Sequence, residues 1–327
     1  MLEVTRLSDS RFHSLRHDPG FVLTESAIFR VEGPGAVECL QGVLTCDVAT
    51  PGTWSAQYGA TLTSKGMIVA DFHILRDETG FTLVTCLDVR QTALDLFRKQ
   101  LPPRLARLTD RSDSDRVIWL LGQRAQEVLG AAGLPWPAEP GRVSPLPPDA
   151  AAGARLARPH PLSPWAGIIT GERDACDAIA STLENAGSRR TGEDDLDAAR
   201  ILAGWPRLGR EIDARTLPQE VRFDETGGVS YTKGCYVGQE TVARVHFRGH
   251  VNRLLRGLAW EGPPPEQADI EAGNKAVGRI TSMLQVDERG YGLAILRREV
   301  EPGAEVTMGS TAATVERLPF PVPAVAA

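Results

Sequence analysis

In the segment GGVSYTKGCYVGQETVARVHFRGH, residues 227–250, Cys235 follows Gly234 and stands two residues after Lys233. A thiol attacks a substrate or binds a metal as the thiolate, and a neighbouring ammonium lowers its pKa toward that form. The spacing from Gly238 through Val242 and Val245 predicts a helix that starts just after the cysteine, and a helix N-terminus favours an anion further. Glycines at 227, 228, 234 and 238 let the backbone approach a ligand closely. Between Lys233 and Arg256 the chain carries Lys233, Arg244, Arg248, Arg253 and Arg256 against one carboxylate, Glu240. A single cysteine is more often an inert buried thiol and an arginine run a solvated face, so the residues alone leave both readings open.

That cationic stretch lies in an acidic chain. Its 327 residues carry a formal charge of −6 and 24% charged side chains, a balance that argues against a general nucleic-acid binder. The first residues, MLEVTRLSDSRFHSLRHD, mix charges of both signs and hold no apolar core of a signal peptide. Apolar runs fall far short of the ~18 residues of a membrane span. A cytosolic protein is expected. Cysteines 39, 46, 86, 176 and 235 are odd in number and widely spaced, with no C-x-x-C. Neither a disulfide scaffold nor a resident metal site is expected, and no four-cysteine set exists for a stable cluster.

The elements that must position these residues read as mixed α and β. Residues 28–31 form a strand-like run that turns through Gly33-Pro34-Gly35 into a helical pattern with Val37, Leu40 and Leu44 on one face. GMIVADFHIL and GFTLVTCL are strand-like runs joined by the turn RDETG. DVRQTALDLFRKQL reads as a helix with Asp88 as N-cap, stopped by Pro102-Pro103. RVIWLLG predicts a strand and QRAQEVLGAAG a helix ending at Gly133. Residues 135–164 hold nine of the 23 prolines. Strand-then-helix units on both sides make this stretch a long loop within one α/β body. After Val251, five short β-like runs separated by Gly, Pro, Asn and Asp clusters predict a small barrel or sandwich, with DERG (287–290) as a hairpin turn.

KGCYVGQE, followed by VAR and a glycine, resembles the signature of the YgfZ-type proteins, folate-dependent factors of iron–sulfur cluster maintenance related to the glycine-cleavage T-protein (aminomethyltransferase). LQGVLTCDV (40–48), TSKGMIVADFHIL, RILAGWP and LPQE match in the family's order. The resemblance implies an α+β fold: a three-part ring-like body, two interleaved α/β parts and a C-terminal small β-barrel around a folate-binding hole. The expected division is 1–48 with 112–190, 49–111 with 191–246, and 247–327 as the barrel. It implies tetrahydrofolate or a derivative as cofactor and iron–sulfur client proteins as partners, with a monomer, no membrane and no direct nucleic acid expected. Cys235, Lys233 and Asp71 are the candidate catalytic residues. Tyr236, Gly238, Gln239, Glu240, Arg244, Arg200 and Gln219 are candidates for holding the folate. Trp205 and Tyr58 are types that stack on a pteridine, although core packing is the expected role of both.

Departures from aminomethyltransferases shape the functional expectation. Their G-x-x-x-D-D-L segment has two successive aspartates where this chain has Ala70-Asp71. Their R-L-E-A-G glutamate is replaced by Leu202, with Arg200 kept, and their counterpart of KGCYVGQE typically has no cysteine. The first expectation is an accessory protein that maintains iron–sulfur enzymes, with Cys235 at the mouth of the folate cavity and any cluster contact borrowing ligands from elsewhere. The alternative is a folate-dependent one-carbon transferase or demethylase acting on a small amine, with Asp71 as base. A folate-linked partner in tRNA modification is a third reading, resting only on the local basic stretch.

Overall fold

A computed structural model describes residues 3–148 and 153–320. Eleven strands form one sheet: β2 (Gly20–Thr24), β3 (Ala27–Glu32), β4 (Ser55–Leu62), β5 (Ile68–Arg76), β6 (Gly80–Thr85), β7 (Arg107–Asp110), β8 (Asp115–Leu121), β9 (Arg142–Pro145), β10 (Arg155–Arg158), β11 (Gly167–Glu172) and β12 (Arg189–Arg190). Their spatial order is β12-β2-β8-β11-β10-β9-β4-β5-β6-β3-β7. The helices are α1 (Asp9–His17), α2 (Ala36–Gln41), α3 (Arg90–Gln100), α4 (Ala125–Ala131), α5 (Arg173–Asn185), α6 (Glu193–Ala203) and α7 (Gln239–Arg248).

Successive side chains of a strand point to opposite faces, and both faces of this sheet are covered. On β5, Ala70, Phe72 and Ile74 join Leu40 of α2 and Phe97 of α3 in one apolar cluster. On β8 and β11, Ile118, Leu120 and Ile169 join Leu129 of α4 and Leu183 of α5 in a second. The alternate residues Leu75, Val117, Trp119, Leu121 and Ile168 point into a central core shared with Ala198, Ile201 and Leu202 of α6. Most buried apolar side chains of residues 27–48 share a core with residues 70–106, while Ile28 joins Val117, Trp119 and Ile168 in the central one. Pairing of β3 with β6 and β7 holds the first stretch beside the second, and side chains pack where pairing puts them.

The C-terminal unit is a closed barrel of six strands: β13 (Arg253–Glu261), β14 (Asp269–Ala272), β15 (Lys275–Val286), β16 (Arg289–Arg297), β17 (Glu305–Met308) and β18 (Thr311–Glu316). The order β15-β14-β17-β18-β13-β16 closes through β15–β16 pairing, which leaves no sheet edge among these strands. Five of the six are legible as β-like runs. The sixth, β14, spans four residues with only Ile270 fully buried, too short for an alternation to show. β1 (Val4–Leu7) runs parallel to β15 on the barrel.

Two local expectations change. Asp88 does not cap α3: a 3₁₀ turn over Leu87–Val89 precedes the helix, so Asp88 lies inside that turn, and the N-cap, Val89, has no side-chain cap bond. The proline-rich stretch carries β9 and β10, which pair with each other and fill the sheet between β11 and β4. Four-residue strands bounded by prolines leave little periodicity to read.

A buried polar network ties α6 to the barrel. The Arg200 guanidinium donates to Asp197 at 2.7 Å, to Glu211 at 3.0 Å and to the Ser282 hydroxyl on β15 at 2.7 Å. Glu211 also accepts from Thr281, Ser282 and the Arg207 backbone N–H. Arg200→Met strands the fully buried Glu211 without its cation, so denaturant unfolding is expected to show a loss of roughly 3–5 kcal/mol. A loss below about 1 kcal/mol would show that the pair does not bear on folding.

Candidate functional site

The alternation of β5 that sends Ala70 and Phe72 into the outer cluster sends Asp71 and His73 to the other face. There they line a cavity of about 380 Å³ with Thr85, Trp119, Trp165 and Trp205, within the usual size range of small-molecule sites. His73 stacks on Trp205 at 5.9 Å with the rings 13° apart, and meets Trp119 and Trp165 edge-on. Burial alone pushes the His73 pKa down to about 3, so its imidazole is neutral. Its Nε2 accepts from Trp165 Nε1 at 3.3 Å, which places the proton on Nδ1. The same burial acts oppositely on Asp71, whose pKa rises to about 6 although the Tyr58 hydroxyl donates to it at 2.7 Å. Thr85, 7% exposed, also lines this wall, its hydroxyl beside the Cys86 thiol. Flat apolar walls with a carboxyl at one side suit a flat heterocycle with a polar edge.

Trp205 and Tyr58 belong to the central core, as expected, and they are cavity walls as well. His73 and Trp205 line both the Asp71 cavity and a second one of about 190 Å³, which Tyr58 also lines and which reaches Pro140, His160 and Gly227. Leu202 lines a third, of about 570 Å³, with Trp136, Trp165 and Phe320. Arg200 borders the Asp71 cavity, but each of its three nitrogens already donates within the protein. Its role is to join α6 to the barrel. The half-exposed Arg207, at the same cavity, has among the described residues only Asp197 as an ion partner, at 3.9 Å.

The KGCYVGQE segment packs along the turn that follows α2. Ser230 N–H donates to the Thr45 carbonyl, Val237 N–H to the Gly42 carbonyl, and Thr45 Oγ1 to the Gly228 carbonyl. The buried Lys233 ammonium donates to the carbonyls of Leu44 and Cys46 at 2.6 and 2.8 Å, 5.0 Å from the centre of the Tyr236 ring. Desolvation lowers its pKa to about 8. This corrects the expected pairing of Lys233 with Cys235: the ammonium is turned into the body, while Cys235 is exposed. The thiol in the field of Lys233 is Cys46, yet burial drives Cys46 up to about 12.

α7 begins at Gln239, after Gly238 at φ +82°, where a Cβ would come within 2.5 Å of the Thr63 carbonyl oxygen. Gly238 thus lets the motif lie against the turn after β4. Gln219 donates to the Val242 carbonyl and to Tyr231, while its Oε1 and the Tyr236 hydroxyl are buried without partners. Glu240 and Arg244 are exposed, and Gln239 is half-buried. None of Cys235, Tyr236, Gln239, Glu240, Arg244 and Gln219 lines the Asp71 cavity. The candidate residues therefore form two groups, Asp71 with Arg200 at the cavity and the motif on the turn after α2. His73, Thr85, Trp119, Trp165 and Arg207 are the cavity residues that the motifs did not single out. The D-x-H alternation in VADFHIL carries the signal for His73, whereas the tryptophans come together only through sheet order. Among the described residues no cluster of three metal-ligating side chains occurs.

Residues 21–134 match the family model described as the GCVT N-terminal domain, and residues 252–320 match the CAF17 C-terminal β-barrel domain. The tRNA-modifying protein YgfZ of Cronobacter sakazakii (strain ATCC BAA-894) is 27% identical over 314 residues, covering 91% of each chain. The protein of that name from Escherichia coli O45:K1 is 25% identical over 306 residues, with the same coverage. The glycine cleavage system aminomethyltransferase T from Bartonella henselae superposes with a TM-score of 0.81 at 21% identity, over 95% of this chain and 88% of that one. That likeness is one of fold.

The raised Asp71 pKa has a consequence for stability. The folded state holds this proton more tightly than an unfolded aspartic acid, with its pKa of about 3.9. The favourable contribution is complete below about pH 4 and is lost as pH rises through about 6. Asp71→Asn is expected to gain on the order of 2 kcal/mol relative to wild type between about pH 4 and pH 7.5 in denaturant unfolding. A difference that does not change with pH would mean that Asp71 ionises as in an unfolded chain.

Proposed function

We propose that this chain, a relative of the YgfZ-type proteins with the fold of aminomethyltransferase T, is a folate-binding factor that serves tRNA modification by maintaining an iron–sulfur enzyme. The observation that carries the reading is the cavity on the inner face of β5, with its tryptophan walls and the Asp71 carboxyl. These residues fit a pteridine: Trp119, Trp165 and Trp205 against its faces, Asp71 at its polar edge. Arg207 is the cation available at this cavity for a folate tail carboxylate. A bound tetrahydrofolate supplies a carrier for one-carbon units. The neutral His73 holds Trp165 in place without adding charge. Near neutral pH Asp71 is largely ionised and able to accept a proton, and Tyr58 holds it in position.

Cys235 acts outside the cavity, at the protein surface. An exposed thiol on a rigidly held turn is accessible to a client protein, which would supply any further cluster ligands. A second reading, a one-carbon transferase of the aminomethyltransferase kind, draws on the shared fold and on Asp71. Against it, Ala70 faces the outer cluster and Leu202 lies in a different cavity, leaving one inward carboxylate on β5.

Tetrahydrofolate is expected to quench the tryptophan fluorescence of the purified protein, and Trp205→Ala should weaken the binding roughly 10-fold or more. In cells lacking the endogenous factor, Cys235→Ala should bind the folate as wild type does yet fail to restore methylthiolated tRNA. No folate binding by the wild type would overturn the reading. Folate-dependent release of a one-carbon unit from a methylated amine would favour the transferase instead.

A further inference from the structure

We infer that the outer face of α7 is a docking surface for single-stranded RNA. The inference rests on the reading above only for the link to tRNA, since the surface itself lies outside the folate cavity. Phe247 is 66% exposed on this helix. His246, Arg248 and His250 beside it are exposed, as is Arg244 one turn earlier. Several other exposed arginines of this acidic chain sit against carboxylates, as Arg107 does with Glu32 and Arg124 with Glu127. Among the described residues Arg244 and Arg248 have no ion-pair or side-chain hydrogen-bond partner. Four residues apart on a helix, they are separated by about 6 Å of rise on one side of it.

The aromatic part of the surface is braced from below. Tyr231 stacks on His246 with ring centres 3.6 Å apart and planes 17° apart. Its hydroxyl donates to Asp224 and accepts from Gln219. Phe247 stands edge-on to both rings, at 4.8 Å from His246 and 6.0 Å from Tyr231. Val242 anchors the helix in the core, and Gln219 holds its backbone at the Val242 carbonyl. The result is a fixed helix that presents an uncovered ring on the side that carries Arg244 and Arg248.

Single-stranded RNA offers the complement: phosphates for the guanidinium groups and unstacked bases for the ring. An acidic protein segment would use the cations but has no general need of the ring. The net charge of −6 excludes broad affinity for nucleic acid, and a patch this small predicts weak, salt-sensitive binding. The segment that leads into α7 carries the exposed Cys235.

The test is fluorescence anisotropy of a labelled tRNA anticodon stem–loop with the full chain, titrated beside tetrahydrofolate. Phe247→Ala is expected to weaken RNA binding roughly 5- to 100-fold, the range of one base-stacking contact, while Phe247→Tyr preserves it. Arg248→Glu is expected to weaken it and to flatten its salt dependence. Folate binding should be the same in Phe247→Ala as in wild type. RNA binding that is absent, or that survives Phe247→Ala and Arg248→Glu unchanged, overturns the assignment. Tighter binding of a poly-glutamate peptide than of the RNA, lost in the same variants, overturns it in favour of an acidic protein partner. Loss of RNA binding with folate bound counts against this surface alone, and folate failure with RNA bound counts against the folate reading alone.

Discussion

The eleven-stranded sheet is covered on both faces, and that single condition fixes where its polar side chains go. On β5 each position belongs either to the cluster under α2 and α3 or to the central core. Two successive carboxylates on this strand would put one into a cluster of Phe29, Phe72 and Phe97, with no polar partner there to offset its desolvation. Ala70 removes that charge, and Asp71 keeps one on the side where a cavity exists. The alternation therefore decides how many carboxylates the site has.

Inside the cavity, burial does chemistry of two kinds. It strips the proton from His73 and raises the proton affinity of Asp71, since both shifts disfavour the charged form. The neutral imidazole becomes a hydrogen-bond acceptor for Trp165, so an ionisable residue ends as part of an aromatic wall. Tyr58 offsets part of the cost of burying Asp71. Each change at this wall shifts several contacts at once, because Tyr58, His73 and Trp205 touch one another and two of them, His73 and Trp205, face both cavities.

The motif segment follows a different logic. Its lysine is spent on backbone carbonyls that the turn after α2 leaves without sheet partners, which clamps residues 42–46 to residues 228–237. Gly59 makes room for the Cys46 sulfur, where a Cβ would come within 2.5 Å. One thiol of this region is thereby buried and held protonated, while Cys235 is held out in solvent. Two cysteines that look alike in sequence, each near the same lysine in space or along the chain, end with opposite accessibility.

Local pattern alone was enough for the strands and helices with strong periodicity: the β5–β6 hairpin, α5, the helix after Cys235 and the barrel strands that alternate over six or more residues. Those are properties of near neighbours, and period-2 or helical spacing reports them directly. The motif order pointed to the fold, and the D-x-H spacing held the information that Asp71 and His73 share a face. The tertiary structure decided what depends on residues far apart. Arg200 became a strut because Glu211 and Ser282 meet it, and Lys233 was drawn away from Cys235 because the carbonyls of residues 44 and 46 lie beneath it. The cavity formed from residues 71, 85, 119, 165 and 205 because strand order brings β5, β6, β8 and the loop after α6 around one space. Sequence spacing carries no record of such meetings, since they are set by which strands pair and which faces they bury.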